Sequence, residues 1–206
     1  MLDKMIIEVD KIVKTLFNTA VSNRAHPDNT IEEGILSEAE KKHVLGLMRV
    51  NHCGEVCAQG LYQGQALTAR DKSNQESFQH AAFEETEHLA WTEHRIYELG
   101  GRTSFLNPLF YAGSLAIGVG AGIVGDKWSL GFLAETERQV GEHLTSHLQQ
   151  LPSADQKSRA ILEQMKTDEA QHEDMAHNYG AADLPPPVKK IMALTSKIMT
   201  KVSYYI

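Results

Sequence analysis

The chain has 206 residues, 42% of them hydrophobic and 23% charged, which is enough for one domain with a sizeable core and is not the composition of a disordered chain. Its formal charge of −7 argues against broad electrostatic binding to nucleic acid. The first 17 residues carry Asp3, Glu8 and Asp10 inside their apolar pattern, which makes a poor secretory signal. They form instead an amphipathic segment over about residues 2–18, with Ile6, Val9, Ile12, Val13, Leu16 and Phe17 on one side, followed by the polar loop NRAHPDNT. Ser37 with Glu40 makes a capping box that opens a long helix to about Arg70. Ser73 with Glu76 predicts the start of the next helix, which Gly100-Gly101 ends. A further helix is predicted over 129–150, and Ser153 with Gln156 opens one that stops near Gly180. Pro185–Pro187 then sets off a last amphipathic helix carrying Val188, Ile191, Leu194, Ile198 and Val202.

Strand signals are almost absent, so the fold class is all-α. Four long helices in two short-turn pairs, joined by one long connection, have the connectivity of a ferritin-like four-helix bundle. A single domain over 1–206 is expected, with an N-terminal segment and loop (1–35), an apolar crossover (103–128) and a C-terminal helix (185–206) added to the bundle. Residues 103–125 contain no charged side chain, a length that reaches the threshold for a membrane span. Asn107-Pro108 breaks its start and five glycines weaken it as a simple spanning helix. A buried core crossover and an apolar segment docked on a bilayer both remain open, and the two terminal amphipathic segments could assist docking.

Two stretches, EETEHL and DEAQHE, contain Glu85-x-x-His88 and Glu169-x-x-His172. Residues at i and i+3 share a helix face, so each pair can aim a carboxylate and an imidazole at one point. A third match, Glu40-x-x-His43, is explained by the capping box. The first two differ from it in what precedes them: Glu55 lies 30 residues before Glu85, and Glu137 lies 32 before Glu169. An antiparallel hairpin brings such positions to similar height. Two hairpins then supply four carboxylates and two imidazoles to one bundle centre, the ligand set of di-iron and di-manganese bundles. Four carboxylates balance two divalent cations, so the site can be buried without a net charge. Cys53 and Cys57, the only cysteines, lie four apart and read as packing thiols kept reduced. His52, beside the ligand face, reads as a packing histidine. Tyr62 and His143 stand one to two turns beyond Glu55 and Glu137, near enough to the same face to touch substrate or ligands.

With these residues in place, "LMRVNHCGEVCAQGLYQGQ", "FEETEHLAW", "ETERQVGEHL" and "DEAQHEDMA" together resemble the Coq7 family, the di-iron demethoxyubiquinone hydroxylases of ubiquinone biosynthesis. The resemblance runs from about Leu36 to the C-terminus, and the family often has Ala where Cys53 stands. It implies Glu55, Glu85 and His88 on one iron, and Glu137, Glu169 and His172 on the other, with Glu85 and Glu169 as bridges. It also implies ring hydroxylation of a polyprenyl methoxy-methyl-benzoquinol with O2, and an external reductant for which NADH is a candidate. No GxGxxG fingerprint is present, so any nicotinamide contact would be non-Rossmann. The implied partners are the quinol and a membrane surface, with other ubiquinone-biosynthesis proteins as candidates, no nucleic acid, and oligomeric state left open. The implied place is the cytoplasmic side of a bacterial cell membrane, held peripherally. Iron stores, rubrerythrin-like peroxidases and tRNA hydroxylases share the ligand logic. They are disfavoured by the apolar crossover, by the lack of a four-cysteine module and by the acidic net charge respectively.

Overall fold

A computed structural model describes residues 2–206, which form seven helices and no strand among the described residues. They are α1 (Leu2–Phe17), α2 (Glu38–Thr68), α3 (Lys72–Glu98), α4 (Asn107–Val124), α5 (Asp126–Gln150), α6 (Gln156–Asn178) and α7 (Pro186–Ser203). The expected ferritin-like bundle is present as α2, α3, α5 and α6, with extra helices at both ends.

Local chemistry sets most boundaries. The Ser37–Glu40 capping box opens α2 as expected: the Glu40 carboxylate accepts the Ser37 N–H, and the Ser37 hydroxyl accepts the Glu40 N–H. The next two starts differ from the sequence reading. Asp71, not Ser73, caps α3 by accepting the Ser73 N–H at 2.8 Å, and Asp155, not Ser153, caps α6 by accepting the Ser158 N–H at 3.0 Å. A carboxylate is the stronger acceptor at a helix N-terminus, where the macrodipole favours negative charge. Helix α5 begins at Asp126, three residues before the expected Ser129 and inside the expected crossover, because Gly125 at φ 132° turns the chain directly from α4. Asp126 also accepts the N–H groups of Arg70 and Asp71, which ties the α2–α3 turn to the head of α5.

The crossover holds helix α4. Pro108 does not break it; it sits in the first turn, where a missing N–H removes no hydrogen bond. Helix α4 runs parallel to α2 and packs along it through glycines. A Cβ on Gly60 or Gly64 would overlap the backbone of α4, and one on Gly118 would overlap the Leu61 carbonyl. Only Asn107, Tyr111, Gly118 and Gly122 of α4 are buried, while Leu109, Ile117, Ile123 and Val124 are exposed. A fully buried core crossover is therefore not what forms. Helices α1 and α7 also leave apolar side chains uncovered, among them Ile6, Val9 and Phe17, and Ile191, Leu194 and Ile198.

Two apolar clusters fill the bundle. One gathers Val44, Leu47, Met48, Trp91, Ile96, Leu144 and Met165; the other gathers Leu61, Tyr62, Phe78, Leu130, Leu133 and Ala176. Each helix of the bundle contributes to both, and the residues between the two contributions are the acids and histidines singled out by spacing.

Candidate metal centre

Glu55 from α2, Glu85 and His88 from α3, Glu137 from α5, and Glu169 and His172 from α6 meet in this layer, none more than 3% exposed. Glu85 and His88, like Glu169 and His172, are one turn apart on a core-facing helix stripe. Their donor atoms fall into two groups, each lying within 4.8 Å: Glu55, Glu85, His88 and Glu169, and Glu85, Glu137, Glu169 and His172. Glu85 and Glu169 are common to both. Glu85 places one oxygen 2.8 Å from His88 Nδ1 and the other 3.2 Å from His172 Nδ1. Glu169 does the same, at 3.3 Å on each side. Each of these two carboxylates thus spans both imidazoles with its two oxygens.

The electrostatics test whether metal ions fit. Burial, with the charges of Glu85 and Glu169 close by, pushes the Glu55 carboxyl well above its ordinary range, and burial with Glu169 does the same to Glu137. Burial works against a charge on His88, yet Glu85 and Asp168 raise it well above an ordinary histidine. His172 is pushed up to about 12 against the same burial cost, by the Glu169 and Glu85 carboxylates that face it. Burial opposes ionisation of Glu85 as well, and the two imidazoles overcome it and hold that carboxyl low. The acids thus draw positive charge onto both imidazoles, the demand that divalent cations would meet. The Glu137 Oε1 atom is buried with no hydrogen-bond partner, and Glu85 Oε1 has no aligned donor. Oxygen-rich, imidazole-containing groups with spare lone pairs suit hard or borderline divalent ions such as iron(II).

Two carboxylates that spacing did not single out complete the surroundings. Asp168 Oδ2 lies 3.1 Å from His88 Nε2, and Glu84 Oε2 lies 2.8 Å from His172 Nε2. Each supporting acid directly precedes the centre-facing Glu of the opposite hairpin, so the supports are exchanged between hairpins. The signal was visible as Glu84-Glu85-x-x-His88 and Asp168-Glu169-x-x-His172. A carboxylate behind an imidazole fixes its tautomer and raises its basicity as a ligand.

The remaining expected residues divide. Tyr62 is fully buried, its hydroxyl has no hydrogen-bond partner among the described residues, and it lines a cavity of about 520 Å³ with Gln59, Phe78, Ala82, Leu89 and Tyr111. The cavity runs between α1, α2 and α3 and is closed on one side by Tyr111 of α4. His143 is not among the grouped donors; its ring lies 3.9 Å, centroid to centroid, from His147, whose Nδ1 is 3.0 Å from Asn51 Oδ1. His52 is buried, and that burial lowers it to about 4, in keeping with a packing histidine. Cys53 is buried, Cys57 half-buried, and both are free thiols. His43 lies 2.7 Å from the Tyr204 hydroxyl and belongs to the foot of the bundle.

Residues 42–203 match the family described as ubiquinone biosynthesis protein COQ7. That span is more than half of the chain. The chain belongs to this family. It is 67% identical over 204 residues to the 3-demethoxyubiquinol 3-hydroxylase of Chromobacterium violaceum, covering 99% of each chain. It is 62% identical over 206 residues to the protein of the same name from Laribacter hongkongensis, covering both chains in full, and 57% identical over 202 residues to that of Dechloromonas aromatica, covering 98% of each. The COQ7 family match takes in all six residues of the buried layer together with Glu84 and Asp168, and leaves out α1 and the segment that follows it. The whole-length relatives extend the likeness over that N-terminal part.

Proposed function

We propose that this chain is a di-iron monooxygenase that hydroxylates the ring of a polyprenyl methoxy-methyl-benzoquinol, the 3-demethoxyubiquinol of its relatives' name. The observation that carries the reading is the way Glu85 and Glu169 each reach both imidazoles, as bridging carboxylates between two metal ions do. Glu55, Glu85 and His88 would hold one iron, and Glu137, Glu169 and His172 the other. The irons would supply O2 activation and electron storage, with an external reductant, NADH being the candidate. The protein's own part is to bind, orient and exclude water. The apolar layers above and below the six ligands keep water from the centre. The cavity under α1 would give a flat quinol ring a path toward Tyr62, whose hydroxyl would meet a ring oxygen.

A polyprenyl tail partitions into lipid, so the enzyme gains from a surface that lies on the bilayer. Helix α4 is long and apolar enough to cross a membrane, and 22% of it is buried against the protein. Its packing parallel to α2 favours lying on the surface rather than spanning. The exposed apolar side chains of α1, α4 and α7 would dip into the cytoplasmic face of the membrane, with the cavity mouth beside α1. The direct experiment loads the protein anaerobically with Fe(II), adds demethoxyubiquinol and O2, and weighs the quinone product. A gain of one oxygen atom is expected; a fully loaded protein that leaves the mass unchanged would overturn the reading.

A further inference from the structure

His88 and His172 hold equivalent places in the two halves of the centre, yet what stands behind them differs. Behind His88, both Asp168 oxygens face the guanidinium of Arg24: Nη1 donates to Oδ2 at 2.8 Å and Nη2 approaches Oδ1 at 3.4 Å. Gln164 donates to Oδ1 from the other side at 2.8 Å. Arg24 belongs to the segment between α1 and α2, and α3 anchors that segment on both sides of His88. The buried Glu87 carboxylate accepts the N–H groups of Asn23 and Arg24 at 3.0 and 3.1 Å and also the Ser22 hydroxyl. The Trp91 indole donates to Ser22 Oγ at 3.1 Å, and the Arg24 guanidinium lies 4.9 Å from the Trp91 ring centre. Behind His172, the one further hydrogen-bonding or ion-pairing partner of Glu84 among the described residues is His80, at 3.1 Å on the exposed side of the same helix, and the Arg24 charge reaches Glu84 only at longer range.

We propose that Arg24 is a positioning residue for the metal served by His88, so that the two metal positions are unequal and the His88 position is the tighter. This inference rests on the two-metal reading above. A planar guanidinium that meets both oxygens fixes the carboxylate plane as well as its place, which a lysine ammonium does not. Asp168 so held keeps His88 in one ring orientation, with Nδ1 turned to the centre. Glu84, with only an exposed histidine behind it, leaves His172 more freedom. The anchoring through Glu87 and Trp91 means that the segment arrives at Asp168 already ordered.

The test is anaerobic titration with Fe(II), followed by Mössbauer spectra of iron-57-loaded protein, for wild type, Arg24→Ala and Arg24→Lys. Arg24→Ala is expected to weaken one of the two metal equivalents by about 10–100-fold, the range for losing an outer partner, and to move one of two iron signals. Arg24→Lys should fall between. Arg24→Ala should add nothing to Asp168→Asn but should add to Glu84→Gln, because only the first pair acts on one metal. Equal weakening of both equivalents, or no change in either, would overturn the proposal and leave the two-metal reading standing. Wild type that takes up fewer than two metals would overturn both. If circular dichroism shows that Arg24→Ala fails to fold, the comparison of Arg24→Lys with Glu84→Gln decides the same point.

Discussion

The α2–α3 half of the centre and the α5–α6 half carry the same residues at the same spacing, but the chain clothes them differently. The first half lies under α4, which approaches α2 at glycine distance, and its helix α3 anchors the segment whose Arg24 reaches across to Asp168 on α6. Along the second half, α7 meets α5 through Lys189, which lies 3.5 Å from Glu135, and contributes Ser203 to the buried set. On the two-metal reading, the duplicated motif would set the chemistry of the site, while the unduplicated parts of the chain would decide how alike its two positions are.

The largest expected effects break the symmetry at the ligands. Glu169→Ala or Glu85→Ala removes a group shared by both positions, and should weaken both metals by more than about 100-fold, beyond the range for outer partners. Glu55→Ala or Glu137→Ala removes a group found in one donor set only, and should cost one metal while the other remains. Iron content per chain after anaerobic loading and desalting distinguishes the two patterns; identical losses from all four variants would contradict the bridging assignment.

Acid compares the foot of the two halves. Burial holds His52 on α2 at about 4, and burial with the charges of His143 and His43 holds His147 on α5 at about 3. Both values lie below the ordinary 6.5, so the folded state binds fewer protons than the unfolded chain between them. Their stabilising contribution is complete above pH 6.5 and is lost as pH falls through the folded values. Each histidine should contribute on the order of 3 kcal/mol to that decline. Thermal denaturation at a series of pH values should show a shallower decline for His52→Gln and for His147→Gln; an unchanged slope would mean that the buried histidines are not what acid attacks.

Smaller effects separate the packing of the halves. A Cβ on Gly118 would meet the Leu61 carbonyl, so Gly118→Ala should cost about 1–3 kcal/mol as α4 moves off α2. A Cβ on Gly141 of α5 meets nothing, so Gly141→Ala should stabilise by up to about 1 kcal/mol through helix propensity. Denaturant midpoints measure both; equal signs would remove the contrast between a covered and an open half.

Much of this was legible in the sequence because helices turn spacing into position. Separations of 30 and 32 residues across a short turn place Glu55 level with Glu85 and Glu137 level with Glu169, and the i, i+3 step fixes each histidine's face. The partners Asp168 and Glu84 were not read, because which imidazole each meets depends on the offset between hairpins, and no single helix records that. The caps at Asp71 and Asp155 were misplaced because serine and aspartate stood two residues apart and both can cap; the carboxylate won. The charge-free crossover revealed its apolarity but not its open face, since only contact with Gly60 and Gly64 decides which side of α4 is covered. His143 shares its helix with Glu137, and its ring lies against His147, which in turn meets Asn51 on α2, a contact between hairpins that spacing along one helix does not record.

The most direct measurement is the number of irons that wild-type protein binds under anaerobic conditions, read together with the Mössbauer spectrum of the loaded sample. Two irons per chain are expected, in two distinguishable environments, with both lost in Glu169→Ala. A single iron, or binding that does not saturate, would contradict a two-metal centre built from these six residues.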